Sequence, residues 1–274
     1  MKSIIMKYSN RTIIWVVVLI FIAPLFGAIY TALRTNNAIN SSPILWQFDK
    51  DFSHFANAMG AAGYNFKQFF INSLLVSIGT VLFTLALSLP ASYSIARLGF
   101  GSRNLLRIAL ILRIVPAIFF IIPFYKLFTV YGLIDTVPAL VLADSFVNIP
   151  LALVILSGSI NDLPIEIEEA AAVDGASIFR IFREIVIPLL GPSIGATAIL
   201  TFLFSWSDYL FAVVLTSSNA TTVTVGAANF VTSYGVRWGD ISAAVVLSVI
   251  PPLIFATFFQ KYLIKGLSSG ALKG

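Results

Sequence analysis

The chain has no cysteine and a single histidine, His54, among its 274 residues. Without cysteine it has no disulfide framework, no thiolate metal ligand and no thiol nucleophile. One imidazole leaves little for a histidine-based metal site or catalytic triad. No catalytic residue, metal site or resident cofactor is therefore predicted. His54 falls in a polar loop, where we expect it to be solvated.

Charge is also scarce. Only 11% of the residues are charged and 58% are hydrophobic, with a mean hydropathy of +0.95, whereas a soluble domain carries about 25% charged residues. The composition therefore indicates a membrane protein in contact with lipid. The net charge of +5 is spread over loops between apolar stretches and is not clustered on one face. This pattern argues against a nucleic-acid partner.

Six apolar stretches are each long enough to cross a bilayer, since about 20 residues of helix span its core. They cover residues 13–32, 72–96, 105–128, 137–160, 189–215 and 241–263. The first is too long to be the apolar core of a signal peptide, and we interpret it as an uncleaved helix. The pattern predicts an all-α membrane protein with six transmembrane helices.

The basic residues indicate how these spans are oriented. With both termini in the cytoplasm, the cytoplasmic set is Lys2, Lys7, Arg11, Arg97, Arg103, Arg107, Arg180, Arg183, Lys261, Lys265 and Lys273. The outer set is Arg34, Lys50, Lys67, Lys126 and Arg237. The excess of eleven cytoplasmic basic residues over five outer ones follows the positive-inside rule. It predicts a multi-pass protein of the cytoplasmic (inner) membrane of a prokaryote, with both ends cytoplasmic.

One polar stretch, residues 166–188, interrupts the apolar pattern and holds five of the 12 acidic residues. Pro164 suits the start of a helix, and Gly175 can adopt the left-handed conformation that ends one. Ser177 can cap a second helix. In that second helix the apolar residues recur at helical spacing: Ile178, Phe179, Phe182, Ile185 and Val186. The stretch predicts helix–turn–helix, and on its own is compatible with an amphipathic hairpin on the membrane surface.

The spacing within this stretch resembles a known motif. It is similar to the EAA loop of permease subunits in binding-protein-dependent ABC importers. The matching residues are Glu169-Ala170-Ala171, then Gly175 after three residues, then Ile185-Val186-Ile187-Pro188 after nine more. Ile187 stands where the family pattern has leucine. The C-terminal QKYLIKGLSSGALKG and the run Trp206-Ser207-Asp208-Tyr209 resemble the carbohydrate-uptake, MalG-like branch of these permeases.

The resemblance implies a MetI-like/MalG-like permease fold whose cytoplasmic helix–turn–helix couples to an ATPase. Residues 1–68 would form the N-terminal tail, the first transmembrane helix and an extracytoplasmic loop. Residues 69–264 would form the permease core with five transmembrane helices and the coupling loop 162–188, and residues 265–274 a cytoplasmic tail. The coupling residues implied are Glu169, Ala170, Ala171, Asp174, Gly175, Phe179, Phe182, Ile185 and Pro188.

The resemblance also implies partners: a second, MalF-like permease subunit, two ATP-binding cassette subunits and an extracytoplasmic substrate-binding protein. This chain has no Walker A motif, and the dipeptide Gly-Lys on which that motif depends is absent. We therefore expect no enzymatic activity here, with ATP and Mg²⁺ used by the partner ATPases. Residues 216–240 are either an ordinary connector or a loop that faces the binding protein.

Polar residues inside the apolar spans are candidates for a solute pathway, because an ionisable group in a membrane is expensive and faces a cavity or a partner. They are Asp144, Asn148, Trp206, Asp208 and Tyr209. Asp208 is equally compatible with a structural hydrogen-bond anchor. Arg113 is interpreted either as a side chain that reaches the cytoplasmic interface or as a partner for an acidic group.

The function expected is import of a sugar or oligosaccharide by alternating access. One alternative is an ion-coupled secondary transporter that uses Asp144 and Asp208, although this leaves the helix–turn–helix unexplained. A second is an ABC importer permease for a glycerol-phosphate or polyol solute. A membrane scaffold is a third class, for which prolines and carboxylates inside the spans would be unusual.

Overall fold

The computed structural model describes residues 2–41, 49–61, 65–232 and 235–271. The α-helices are α1 Lys2–Ala32, α2 Asn36–Ser41, α3 Ser53–Ala56, α4 Phe66–Arg97, α5 Ser102–Ile114, α6 Ile118–Val130, α7 Val137–Asn161, α8 Ile165–Val173, α9 Ile178–Ile181, α10 Ile187–Leu189, α11 Gly191–Trp206, α12 Leu210–Leu215, α13 Val223–Gly226 and α14 Trp238–Ala271. Two π-helical turns, Asn57–Ala61 and Phe182–Val186, and a 3₁₀ turn, Ala227–Phe230, continue helices. Two-residue strands, β1 Val231–Thr232 and β2 Gly235–Val236, pair antiparallel. The all-α prediction is confirmed.

Four helical segments within the described chain are long and apolar enough to cross a membrane: Ile13–Ala32, Phe66–Arg97, Val137–Asn161 and Trp238–Tyr262. Two bent helix pairs raise the number to six if each pair is one span. They are Asn104–Ile114 with Ile118–Val130, bent by 98°, and Ile178–Leu189 with Gly191–Trp206, bent by 74°. The first pair covers the third predicted stretch, whereas the second pair begins before the fifth predicted stretch, at Ile178, and ends within it, at Trp206.

The third predicted span, residues 105–128, is helical on both sides of a break. Val115 has extended dihedral angles, φ −64° and ψ 123°, and separates α5 from α6. The following Pro116 explains this break, because the ring of a proline disfavours helical angles in the residue before it. The fifth predicted span, residues 189–215, also breaks: α11 ends at Trp206 and α12 begins at Leu210.

The described residues fall into two compact units. The first joins the chain up to Gln68 with Gly226–Ile250. In it His54 is buried, with an exposed fraction of 1%. Its Nδ1 lies 2.6 Å from Asp240 Oδ1, and its Nε2 lies 2.9 Å from the carbonyl oxygen of Arg34. The expectation that His54 is solvated is wrong, because two acceptors distant in sequence enclose its ring.

The second unit joins Phe69–Val225 with the chain from Pro251 onward. Here α4 turns a row of small hydroxyl residues inward, and all of them are buried: Ser73, Ser77, Thr80, Thr84, Ser88 and Ser92. Small side chains let membrane helices approach closely. At Gly79 an added Cβ would lie 2.8 Å from Val141 Cγ2, so α4 and α7 approach closely at this glycine. The predicted tail 265–274 continues α14 to Ala271, and residues 272–274 lie outside the described part.

Candidate functional site

The polar stretch folds as a helix–turn–helix, which we call the hairpin (Ile165–Leu189). Its first arm is α8, with Asp174 as C-cap and Gly175 at φ +81°. The N–H of Gly175 donates to the carbonyl of Ala172, and the N–H of Ala176 donates to that of Ala171. These two bonds form the Schellman motif, which requires the left-handed angles that glycine adopts without strain.

The second arm begins at Ser177, whose hydroxyl accepts a hydrogen bond from the N–H of Arg180 at 3.4 Å. It continues through α9, the π-helical turn and α10 to Leu189. The predicted apolar stripe divides into two parts. Val186 is buried and Phe182 and Ile185 are partly buried, whereas Ile178 and Phe179 are exposed, Phe179 by 69%. Part of the stripe therefore packs on the protein's own core, and part is left uncovered.

Glu168 is the glutamate that holds the hairpin in place. Its Oε1 accepts from Arg97 Nε at 2.7 Å, and its Oε2 accepts from the Tyr93 hydroxyl at 2.8 Å. Arg97 also donates through Nη2 to the carbonyl of Leu163 at 2.8 Å. We call Tyr93, Arg97 and Glu168 the clamp. It fixes the base of α8 to the end of α4.

Sequence reasoning missed the clamp because Glu168 lies 71 positions from Arg97 and 75 from Tyr93, and no local spacing links them. The remaining predicted coupling residues lie on the open side of the hairpin: Glu169, Ala170, Asp174, Gly175 and Pro188 are exposed, and Ala171 is partly buried. The arrangement exposes an apolar tip, Val173, Ile178 and Phe179, on a hairpin with a fixed base. Contact of these residues with an ATPase stays a prediction.

A polar cleft of about 380 Å³ lies beside α7 in the second unit. One wall is the break between α5 and α6, residues 113–117, and another comes from Phe204, Asp208 and Phe211 around the break between α11 and α12. Asp144 and Asn148 of α7 complete the polar part of the lining. Irregular backbone at membrane depth is tolerated where it lines a cavity. The position of the two helix breaks at the cleft is consistent with this requirement.

The carboxylate of Asp144 is buried, and its Oδ2 accepts from the Ser205 hydroxyl at 2.5 Å. Asn148 donates through Nδ2 to the carbonyl of Asp144 at 2.9 Å. The amide oxygen of Asn148 is buried in the cleft lining with no hydrogen-bond partner among the described residues. A buried acceptor without a partner is costly, so this oxygen is available to a ligand's donor.

Asp208 both anchors a helix and lines the cleft. Its Oδ2 accepts from the N–H of Ala212 at 3.2 Å, which anchors the start of α12, and it also lines the cleft. Arg113 donates to the carbonyl of Val147 at 3.2 Å, and its guanidinium lies 4.7 Å from the centroid of the Phe204 ring. Arg113 therefore turns toward the cleft that Asp144 and Asp208 line.

The two aromatic pathway candidates lie outside the cleft lining. Trp206 is buried against Phe70 and Phe202, with ring centroids 5.7 Å apart in both pairs. Tyr209 is 46% exposed in the break after α11. The structure thus brings together Asp144, Asn148 and Asp208 and adds Arg113, while Trp206 belongs to the packed core. The part of these residues in solute passage stays a prediction.

Apolar helices broken around a polar cleft, together with a clamped helical hairpin, define a membrane transport subunit. Residues 88–269 match the family described as "Binding-protein-dependent transport system inner membrane component", and the chain belongs to this family. It is 36% identical over 213 residues to the "Trehalose transport system permease protein SugB" of Mycobacterium tuberculosis, covering 76% of this chain and 78% of that protein. It is 31% identical over 259 residues to the "Trehalose/maltose transport system permease protein MalG" of Thermococcus litoralis, covering 93% of each.

A solved bacterial ABC transporter, "involved in the import of the acidic polysaccharide alginate", has the same fold. The TM-score is 0.76 with 20% sequence identity, and the match covers 95% of this chain and 97% of that chain. The chain is thus an ABC importer permease subunit and a membrane protein. Family membership overturns the two alternatives outside this class, the ion-coupled secondary transporter and the membrane scaffold.

Proposed function

We propose that this chain is one of two permease subunits of an importer that carries a neutral sugar or oligosaccharide inward. The hairpin docks by its exposed tip on a partner ATPase, and closure of the ATPases is passed through the clamp to α4. The observation that carries the proposal is the contrast between the two ends of the hairpin. Phe179 is 69% exposed at the tip, while the Arg97–Glu168 pair at the base is only 10% exposed on each side.

The physical requirements of such a coupling element support this assignment. An element that transmits motion needs an attachment to its own chain that does not slip and an uncovered apolar surface for a partner. The clamp meets the first requirement with two charge-assisted bonds and the Leu163 bond. Val173, Ile178 and Phe179 meet the second.

The partners proposed are a MalF-like permease subunit, two ATP-binding cassette subunits that use ATP and Mg²⁺, and an extracytoplasmic binding protein. Both termini and the hairpin lie in the cytoplasm in this proposal. The bias of basic residues supports that orientation, because it places the hairpin on the side of the membrane where ATP is available.

The solute class rests on the names of the relatives and on the chemistry of the cleft. The relatives named for trehalose and maltose transport are 31–36% identical to this chain. The cleft is rich in acceptors, namely the carboxylates of Asp144 and Asp208 and the free amide oxygen of Asn148. Sugar hydroxyls donate to such groups. A polyol would bind in the same way.

The test is to tag the chain, purify it from its native membrane and identify the proteins that co-purify. The complex is then placed in liposomes with the co-purifying binding protein and offered labelled trehalose, maltose or glycerol phosphate. We expect ATP-dependent uptake of a sugar that an ionophore does not abolish. A chain that purifies alone and transports without ATP contradicts the proposal, and uptake of glycerol phosphate alone contradicts the sugar assignment.

The cleft is tested with Asn148→Leu, which removes the free acceptor while keeping nearly the same volume. We expect a several-fold rise in the solute concentration for half-maximal uptake, with ATP hydrolysis retained. Ser159→Ala is a matched control on the same helix, because its hydroxyl bonds only to the carbonyl of Ile155 at 2.9 Å and lies outside the cleft lining. Equal uptake by both variants would contradict a contact between Asn148 and the solute.

A further inference from the structure

Asp135, in the turn between α6 and α7, makes an unusual set of bonds to a distant loop. Its carboxylate oxygens accept from the backbone N–H groups of four consecutive residues, Ser217, Ser218, Asn219 and Ala220, at 3.0 to 3.2 Å. The hydroxyls of Ser217 and Ser218 and the side-chain amide of Asn219 donate to the same carboxylate at 3.0 to 3.2 Å. The N–H of Asp135 in turn donates to the carbonyl of Leu215 at 2.8 Å.

Successive backbone N–H groups that converge on one point form a concave site for an anion. In this protein the anion is a side chain of the same chain, 82 to 85 positions earlier. Asp135 has φ +60°, a left-handed angle that is uncommon outside glycine. Such a conformation persists where the surrounding contacts hold it, and strained residues of this kind cluster at functional positions.

The same loop is held from a second side by the first residues of α4 in the second unit. Asn72 donates through Nδ2 to the carbonyls of Asn219 and Thr221 at 2.8 and 3.0 Å. The hydroxyl of Ser73 accepts from the N–H of Val223 at 2.8 Å. Loop 217–223 is therefore bonded through both its N–H and its carbonyl groups. These bonds join residues 217–223 to the start of α4 as well as to Asp135.

These bonds join helices that line the polar cleft. Asp135 comes directly before Thr136, the N-cap of α7, which carries Asp144 and Asn148. Loop 217–223 follows α12, whose start is anchored by Asp208. The hydroxyl of Thr224 also donates to the carbonyl of Asp208 at 2.6 Å. The bonds of Asp135 thus connect the start of α7 to the segment that follows the end of α12.

We propose that Asp135 is a positioning residue whose carboxylate, seated on residues 217–220, makes the adjoining ends of α4, α7 and α12 move as one rigid body during transport. This inference rests on the proposed importer function. The rigid body keeps the spacing of Asp144 and Asp208 constant while the hairpin is driven by the ATPases. Loosening it lets the cleft open without the binding protein, so that ATP is hydrolysed without transport.

The test uses Asp135→Asn in the complex that co-purifies with the chain, reconstituted in lipid discs. Hydrogen exchange at the amides of 217–220 is measured together with ATP hydrolysis with and without binding protein. We expect exchange to be roughly tenfold faster or more, because a bond to an ionised acceptor is stronger than a neutral one. We also expect several-fold higher hydrolysis without binding protein, and less solute moved per ATP.

Asp51→Asn is the matched control. Asp51 also accepts a backbone N–H, from Ser53 at 2.8 Å, but that bond spans only two residues and joins no separate elements. We expect wild-type exchange at 217–220 and wild-type coupling in this variant. Unchanged exchange in Asp135→Asn would show that the carboxylate does not hold residues 217–220, and would overturn the proposal. Faster exchange with normal coupling reduces Asp135 to a structural residue and also overturns the proposal.

If the complex with Asp135→Asn does not assemble, a disulfide in place of the hydrogen bonds between Asp135 and Ser218 provides a second test. The chain has no native cysteine, so Asp135→Cys combined with Ser218→Cys introduces the only thiols. Coupled transport by the oxidised pair, lost on reduction, supports a rigid body. An assembled, oxidised complex without transport overturns it. Absence of ATP-dependent transport by the unmodified complex would contradict the importer function itself, which the exchange measurement at 217–220 does not depend on.

Discussion

Arg97 and Glu168 form a 2.7 Å ion pair that is only 10% exposed on either side, at the point where the hairpin meets the last turn of α4. Removing one member of a buried pair leaves the other charge uncompensated, which costs more than the pair itself contributes. The pair therefore makes the attachment of the hairpin sensitive to single substitutions.

We expect Arg97→Met to destabilise the assembled complex by about 3–5 kcal/mol, because Glu168 is left with only the Tyr93 hydroxyl. The double variant Arg97→Met with Glu168→Gln is expected to be less destabilised than Arg97→Met alone. Thermal unfolding of the purified complex measures both changes. Arg180→Ala is the control, since the Arg180–Glu184 pair is 66% and 58% exposed and little change is expected. Additive effects of the two clamp substitutions would contradict the coupling between them.

Gly175 is the second sensitive position. Nothing lies within 4 Å of a Cβ added there, so Gly175→Ala meets no steric clash and its cost is the left-handed angle itself, about 1–2 kcal/mol. Gly175→Pro is worse, because proline cannot reach φ +81° and loses the N–H that donates to Ala172. We expect Gly175→Ala to retain partial uptake and Gly175→Pro to lose it, with membrane insertion intact in both.

Uptake assays and quantification of the chain in membranes test this order. Gly158→Ala is the control, because Gly158 lies inside α7 with open space around it and alanine is favoured there. Normal ATP-driven uptake by Gly175→Pro would refute the role of the turn in coupling.

The buried histidine leads to a third prediction, within the first unit. Both ring nitrogens of His54 lie within hydrogen-bond distance of an oxygen, one on the side chain of Asp240 and the other the carbonyl oxygen of Arg34. His54→Ala removes both bonds at once. We expect amide exchange in residues 49–61 to rise by roughly a factor of ten or more, measured by mass spectrometry on the purified complex.

Asn57→Ala is the graded control, since Asn57 donates to the same Asp240 oxygen but at 3.3 Å. A small change is expected. Equal effects of the two substitutions would show that the imidazole contributes nothing beyond a weak neutral bond.

The parts of the fold and site that sequence predicts are those encoded by neighbouring residues. The helix ends at Gly175 and Ser177 follow from backbone preference and capping, and α8 has the predicted bounds Ile165–Val173. The break at Val115 also has a local cause, the following Pro116. His54, Glu168 and Asp135 differ, because their partners lie 20 to 186 positions away. Tertiary packing decides whether such a polar side chain is solvated or enclosed.

Asp135 provides a pH prediction. Burial of the carboxyl by itself raises its pKa, but the hydrogen bonds from the N–H groups of Asn219, Ser217, Ala220 and Ser218 outweigh this effect. Together they hold the pKa of Asp135 well below the usual range for aspartate. A group whose pKa is lowered on folding stabilises the folded state fully above its unfolded pKa, about 3.9, and this contribution is lost only as the pH falls through the lower folded value.

The bonds of Asp135 to loop 217–220 should therefore be insensitive to pH throughout the neutral and mildly acidic range. Exchange protection of these amides, corrected for the intrinsic effect of pH, is expected to stay constant between about pH 8 and about pH 5. In Asp135→Asn the protection should be lower and equally flat, because the group that titrates has been removed. A loss of wild-type protection between those two pH values would mean that the carboxylate is not held in its charged form by the loop, and that a different group controls the ends of α7 and α12.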